Sequence, residues 1–151
     1  MRLILAFIMN PLAVVALLVA LVGAATALGF LWKSRQGRVV HTNGHTVVKV
    51  ADLPGVRRLA SGATLVQFST EVCAPCKVTR AVLGDVASAH RNVSHVDLDL
   101  THQPELASRF HIMQTPTTLI LDRKGVVRAR IGGAPRRDAL LAELDRILVT
   151  A

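Results

Sequence analysis

The sequence predicts one α/β domain behind a single N-terminal transmembrane helix, on three observations. From Leu3 to Trp32 no residue is charged and none is a histidine. Beyond that stretch, short apolar runs alternate with segments whose apolar residues recur at helical spacing. A cysteine pair, Cys73 and Cys76, stands where one such run gives way to one such helix. With 151 residues in all, this leaves a domain of roughly 110 residues, enough for one core. The expected organisation is an anchor at 1–32 with its span at about 12–32, a juxtamembrane linker at 33–45, and the domain at 46–151.

A bilayer core about 30 Å thick is crossed by around 20 helical residues. Asn10-Pro11 reads as a helix cap followed by proline at the first helical position, so Leu12 to Trp32 would span, with Trp32 at the interface. The competing reading is a cleaved signal peptide, since Ala25-Thr26-Ala27 has the small-x-small pattern. The length of the apolar run and the flank Trp32-Lys33-Ser34-Arg35 favour an uncleaved anchor in the cell membrane. Arg2 precedes the span, while Lys33, Arg35 and Arg38 follow it. Positive charge tends to stay inside, which favours a cytoplasmic domain by a narrow margin and leaves the extracytoplasmic side open.

In chain order, Gly37 to Gly44 reads as linker, Thr46 to Val50 as a short strand, and Asp52 as the cap of a short helix from Leu53 to about Ala60. Ala63 to Ser69 has the near-continuous apolar character of a buried strand. From Ala74 to about Ala89, Val78, Ala81, Val82, Leu83 and Val86 make one helical face. Val93 to Leu100 is another strand and Pro104 to Phe110 a short helix started near Thr101 or Gln103. Thr117 to Leu121 is a strand, closed by Asp122-Arg123-Lys124-Gly125, where glycine can take a left-handed turn position. Val127, Ala129 and Ile131 then alternate with Arg128 and Arg130 as a half-exposed strand. The segment from Pro135 to Val149 carries Leu140, Leu141, Leu144, Ile147 and Leu148 on one stripe, the mark of an amphipathic helix. The order is β-α-β-α-β-α-β-β-α.

Beyond Arg2 there are 17 lysines and arginines against 10 acidic residues. The arginines are scattered, there is no tyrosine and aromatic residues make up 3% of the chain, so the surface lacks a stacking platform. No nucleic-acid partner is expected, and the charge reads as a solvated surface.

A thiol attacks a disulfide only as thiolate, and a free cysteine is mostly protonated at neutral pH. Cys73 at a helix start would have unsatisfied N–H groups and the positive end of the helix dipole aimed at its sulfur. Ala74 and Pro75 fill the first turn, where proline loses no helical hydrogen bond. Two intervening residues let Cys76 reach back to Cys73, so that Cys73 attacks as nucleophile and Cys76 resolves the mixed disulfide. Half of a zinc site has the same spacing. Only two cysteines are present, so His41 and His45 would have to complete it. Those two read more simply as polar loop residues.

The run Leu65-Val66-Gln67-Phe68 leading to Cys73-Ala74-Pro75-Cys76-Lys77, then Thr115-Pro116-Thr117, then Asp122 to Gly125 and Gly132, resembles the thioredoxin superfamily over about Val47 to Val149. The resemblance implies a thioredoxin-like mixed central sheet flanked by helices and a redox-active disulfide between Cys73 and Cys76. It implies a cis peptide bond at Thr115-Pro116 beside the sulfurs, which keeps metals off them, and an extended substrate segment paired to the backbone of Thr115. Ala74, Pro75, Thr115 and Pro116 would support substrate. The partners implied are protein disulfides or dithiols and a redox partner such as a reductase, with no cofactor and no metal.

Three positions depart from the family pattern. Val72 stands where an aromatic residue precedes the first cysteine, and Ser69 replaces an aromatic at the strand exit. Gln67 replaces the buried aspartate six residues before the first cysteine and cannot take a proton from the resolving thiol. His95, expected opposite Gln67 on the next strand, is a candidate replacement for the missing base or cation. Glu71 reads as a solvated charge. The chain is thus expected to be a membrane-tethered thiol-disulfide oxidoreductase, acting as reductant, with an oxidase or isomerase, or a metal-binding module using the same pair, as alternatives.

Overall fold

Ala-Thr-Leu-Val-Gln-Phe-Ser at 63–69 is buried at every position, and a strand with no exposed side needs neighbours on both edges and cover on both faces. The computed structural model, which describes residues 11–42 and 44–150, supplies both. Its elements are helix α1 (Pro11–Arg35), strand β1 (Val39–His41), a 3-10 turn (Val50–Asp52), β2 (Ala63–Ser69), α2 (Ala74–Ala89), β3 (Val93–Asp99), α3 (Pro104–Arg109), β4 (Thr117–Asp122), β5 (Val127–Gly132) and α4 (Arg137–Thr150). The five strands form one mixed sheet in the order β1-β5-β4-β2-β3. β2 runs parallel to β3 and antiparallel to β4.

Alternation along the strands divides the core in two. Ala63 and Leu65 of β2, with Ile120, Ala129 and Ile131, pack under Leu83 and Val86 of α2 and Leu140, Leu144 and Ile147 of α4. Val66 and Phe68 point to the other face, against Leu98, Leu106 and Phe110. The rings of Phe68 and Phe110 lie 5.1 Å apart at a tilt.

The chain divides into two units after Arg35. α1 has 25 residues, a length of about 37 Å at 1.5 Å per residue, and among the described residues it is the one helix long and apolar enough to cross a membrane. Its hydroxyls donate within the helix, Thr26 to the Val22 carbonyl and Ser34 to that of Leu31. Arg2, and Asn10 with its expected cap, lie outside the described residues.

Three expectations about the region before β2 are corrected. The segment 33–45 is not only a linker, because Val39–His41 joins the sheet antiparallel to β5, Val39 opposite Ile131. The expected strand at Thr46 to Val50 is reduced to a single bridge between Val47 and Val126. The helix expected from Leu53 to Ala60 does not form. Pro54 disfavours helical backbone at Leu53, which is extended at φ −115° and ψ 98°, and Gly55 follows at φ +77°. Asp52 closes the 3-10 turn instead, its carboxylate accepting the Lys49 N–H at 2.9 Å.

The β4–β5 turn is organised by a buried charge. Asp122 accepts the N–H groups of Lys124 and Val126 at 2.8 and 3.0 Å and the Arg128 guanidinium at 2.8 Å. Burial alone would raise its pKa, but those hydrogen bonds from Val126, Arg128 and Lys124 outweigh it and hold the carboxyl below the usual aspartate range. A depressed folded-state pKa gives stability that is present above about pH 4 and lost as pH falls through the folded value. Asp122→Asn should therefore cost about 1–3 kcal/mol at pH 7 and flatten the acid limb of stability against pH. Urea unfolding from pH 3 to 7 checks both, and an unchanged acid limb would contradict the assignment.

Candidate active site

β2 ends at Ser69, and its last residues are already paired with β4, Phe68 opposite Thr117. That register brings the loop leaving β2 beside the segment entering β4. The first carries Cys73 and the second Thr115-Pro116, joined by a cis peptide bond. The Thr70 and Thr115 hydroxyls are 3.4 Å apart. The Glu71 N–H donates to the Thr101 hydroxyl at 3.0 Å, so the β3–α3 connection also holds this loop. The Glu71 side chain is exposed.

Cys73 is the N-cap of α2, with extended backbone at φ −143° and ψ 91°, and proline follows in the first turn. It is joined to Cys76 by a disulfide, with the Cα atoms 5.3 Å apart, and the Cys76 N–H donates to the Cys73 carbonyl at 3.1 Å. Cys73 is 8% exposed and Cys76 2%, so a reagent reaches the first sulfur more readily. Val72, just before the pair, is fully in solvent. A shallow groove of about 310 Å³ runs from Thr70 and Thr115 past Ile112, Met113 and Ala107.

Gln67 is completely buried and satisfied at both ends. Its Nε2 donates to the Cys76 carbonyl at 3.0 Å, and its Oε1 lies 3.2 Å from His95 Nε2. The expected pairing is shifted, however: Asp97 is the residue opposite Gln67, and His95 stands opposite Leu65. The imidazole reaches Gln67 diagonally along the same face. Burial lowers the His95 pKa, Asp97 offsets part of that, and Arg80 adds to it.

Sequence reasoning missed the groups around this pair. Asp97 accepts the Ser69 hydroxyl at 2.6 Å and pairs with Arg80 of α2. The signal was present in the polar residues His95, Asp97 and Asp99 at alternate positions, but such a stripe ordinarily faces water. His41 was read as a loop residue; it lies in β1 with Nε2 2.9 Å from a carboxylate oxygen of buried Glu143. His45 is exposed. Among the described residues no three histidine, cysteine or acidic side chains gather as a metal site.

A disulfide at a strand-to-helix junction, with a helix N-terminus behind its outer sulfur and a cis-proline turn beside it, belongs to the class of thiol-disulfide oxidoreductases. The Thioredoxin family model matches residues 55–146, and the chain belongs to the thioredoxin family. It is 30% identical over 103 residues to the thioredoxin of Staphylococcus aureus, covering 68% of this chain and 98% of that one. It is 38% identical over 85 residues to the bifunctional thioredoxin reductase/thioredoxin of Mycobacterium leprae, where the match spans 56% of this chain and 18% of that longer protein. Among solved structures it is similar to a thioredoxin from Nicotiana alata, with TM-score 0.51 and 25% identity over 58% of this chain and 75% of that one. A malarial protein shares the fold, with TM-score 0.52 and 19% identity over 58% of this chain and 98% of its own.

The asymmetry of the pair has a direct readout. After reduction, Cys73 should be alkylated by iodoacetamide at pH 7 at least roughly tenfold faster than Cys76, because the helix start favours its thiolate and Cys76 is the more buried. Peptide mass spectrometry after a short pulse measures the ratio, and equal labelling would mean that the helix start does not distinguish the two thiols.

Proposed function

We propose that α1 holds this oxidoreductase in a membrane and that its Cys73/Cys76 dithiol reduces protein disulfides. The observation that carries the reading is Cys73 at the N-cap of α2 with Cys76 bonded to it one turn on. The Cys73 thiolate, stabilised by first-turn N–H groups, attacks one sulfur of a substrate disulfide. A mixed disulfide forms and the other substrate sulfur leaves as a thiolate, which takes a proton. Cys76 then loses its proton and attacks Cys73, forming the Cys73–Cys76 disulfide and releasing the second substrate thiol. A substrate segment pairs in extended form with the backbone at Thr115, supported by Ala74, Pro75 and Pro116, and sets an apolar side chain in the groove past Ile112 and Met113.

The Cys-x-Pro-Cys form supports the reducing direction. The Mycobacterium leprae relative joins a thioredoxin to a thioredoxin reductase in one chain, which supports a reductase as electron donor. One observation favours the opposite direction: Gln67 places a neutral amide where a carboxylate would oppose a thiolate. On the reducing reading, the potential of the pair equilibrated with glutathione should be more negative than about −200 mV, and a more positive value would assign an oxidase. Cys76→Ser should trap a mixed disulfide with substrate and Cys73→Ser should trap none, as read on non-reducing gels. The reverse pattern would exchange the two roles.

Lys33, Arg35 and Arg38 after the apolar helix favour the cytoplasmic side for the domain. A membrane-impermeant maleimide applied to intact cells after mild reduction should then label Cys73 only after lysis. Labelling before lysis would put the domain outside.

A further inference from the structure

We propose that His95 is the proton-linked partner of the resolving thiol: as Cys76 ionises to attack Cys73, His95 takes up a proton at Nδ1, while Gln67 ties its ring to the Cys76 backbone. This deepens the reading above and rests on Cys76 as resolver.

The hydrogen bonds fix the tautomer. Gln67 Nε2 donates to the Cys76 carbonyl at 3.0 Å, so Oε1 is the atom turned to His95, at 3.2 Å. An amide oxygen only accepts, hence His95 Nε2 carries the proton and Nδ1 the lone pair. Nδ1 has no partner among the described residues. Reversing the amide would set two acceptors against each other at Cys76, which excludes the other arrangement.

The charged groups facing His95 are Asp97 on its own strand and Arg80 on α2, and these are paired with each other. Burial therefore leads in setting the ring, keeps it neutral near pH 7, and leaves it able to accept a proton when negative charge appears nearby. The rest of this buried region is neutral but polar. Thr118 stands opposite Gln67 on β4, Thr79 lies one turn beyond Cys76 on α2, and both hydroxyls are buried without a partner among the described residues. These hydroxyls are uncommitted donors, one on the strand that pairs with Gln67 and one on the helix that carries Cys76.

In the step itself, the Cys76 proton passes to solvent and His95 Nδ1 takes one from solvent. The Cys76–Cys73 bond forms and the Cys73–substrate bond breaks, its electron pair leaving on the substrate sulfur. That sulfur is then protonated as His95 returns its proton. His95 is a positioning and charge-compensating residue, acting through Gln67 without touching substrate.

The test uses the full chain in detergent micelles. In single turnover with a disulfide-bonded peptide, resolution of the mixed disulfide by the parent should show a pH inflection set by His95. His95→Gln, which keeps an N–H for Gln67 but cannot titrate, should lose that inflection and resolve roughly tenfold more slowly at pH 7, the low end of what a positioned proton-transfer group contributes, with the first attack by Cys73 unchanged. A retained inflection, with or without slowing, overturns the proposal. If the variant does not fold, the parent still decides it by NMR titration of His95. The midpoint should rise when the disulfide is reduced, and the same midpoint in both states overturns the proposal. The titration needs no substrate, so its failure is distinct from failure of Cys76→Ser to trap a mixed disulfide, which would refute the resolver role itself.

Discussion

The antiparallel register of β2 against β4 is the constraint on which the rest of this molecule depends. Phe68 opposite Thr117 leaves one loop at the end of β2 and another at the start of β4 with nowhere to go but alongside each other. The first delivers Cys73 to the start of α2 and the second delivers Thr115 to the same edge. Side-chain period along a strand is two, so a slip of one residue would turn Gln67 and Ser69 to the opposite face and carry Val66 and Phe68 out of their core. The apolar residues of β2 thus lock the position of the loop that carries the sulfurs. The same register holds Gln67 of β2 against the Cys76 carbonyl.

A buried amide is an unusual companion for a redox pair. A carboxylate there would change charge with pH and would resist a neighbouring thiolate. Gln67 does neither, and its cost of burial is offset by a partner at each end. What it transmits is geometry: the ring of His95 on one side, the first turn of α2 on the other. On the proposed role of His95, titration is moved one residue outward, to a group on β3 beside the Asp97–Arg80 pair. On that role the compensating charge stands two hydrogen bonds away from the Cys76 backbone.

Much of the fold was legible because its signals are local. The continuous burial of β2, the alternation at Val127, Ala129 and Ile131, and the turn at Gly125 each need only a few consecutive residues. The α2 helix was legible too, but its buried face is Cys76, Thr79, Leu83 and Val86, while Val78 and Ala81 of the expected face are exposed. What failed is non-local or competitive. β1 has three residues and no pattern of its own; it becomes a strand because the edge of β5 is free to pair. The helix expected after Asp52 was ruled out locally by Pro54 and Gly55, a breaker pair that outweighs any cap. In the site, the cysteine pair and Thr115-Pro116 announce themselves by spacing and type. The Gln67–His95 link, the Asp97–Arg80 pair and the His41–Glu143 contact depend on register, which a sequence specifies only once its strand neighbours are known.

The surface around the sulfurs bears on how a substrate is chosen. Aromatic residues are absent from both flanks, and in their place stand Val72 and Met113, 98% and 92% exposed. Covering one such aliphatic side chain contributes about 1.5–3 kcal/mol, too little to hold a folded partner once the loss of translational and rotational freedom is counted. For the proposed substrate segment, backbone pairing at Thr115 would add hydrogen bonds that any extended segment can make. A surface of this kind discriminates weakly by binding. On the proposed function, selection would rest on which disulfides are exposed and lie within reach, and the exchange would be driven by the relative stability of the two disulfides and not by the affinity of the encounter.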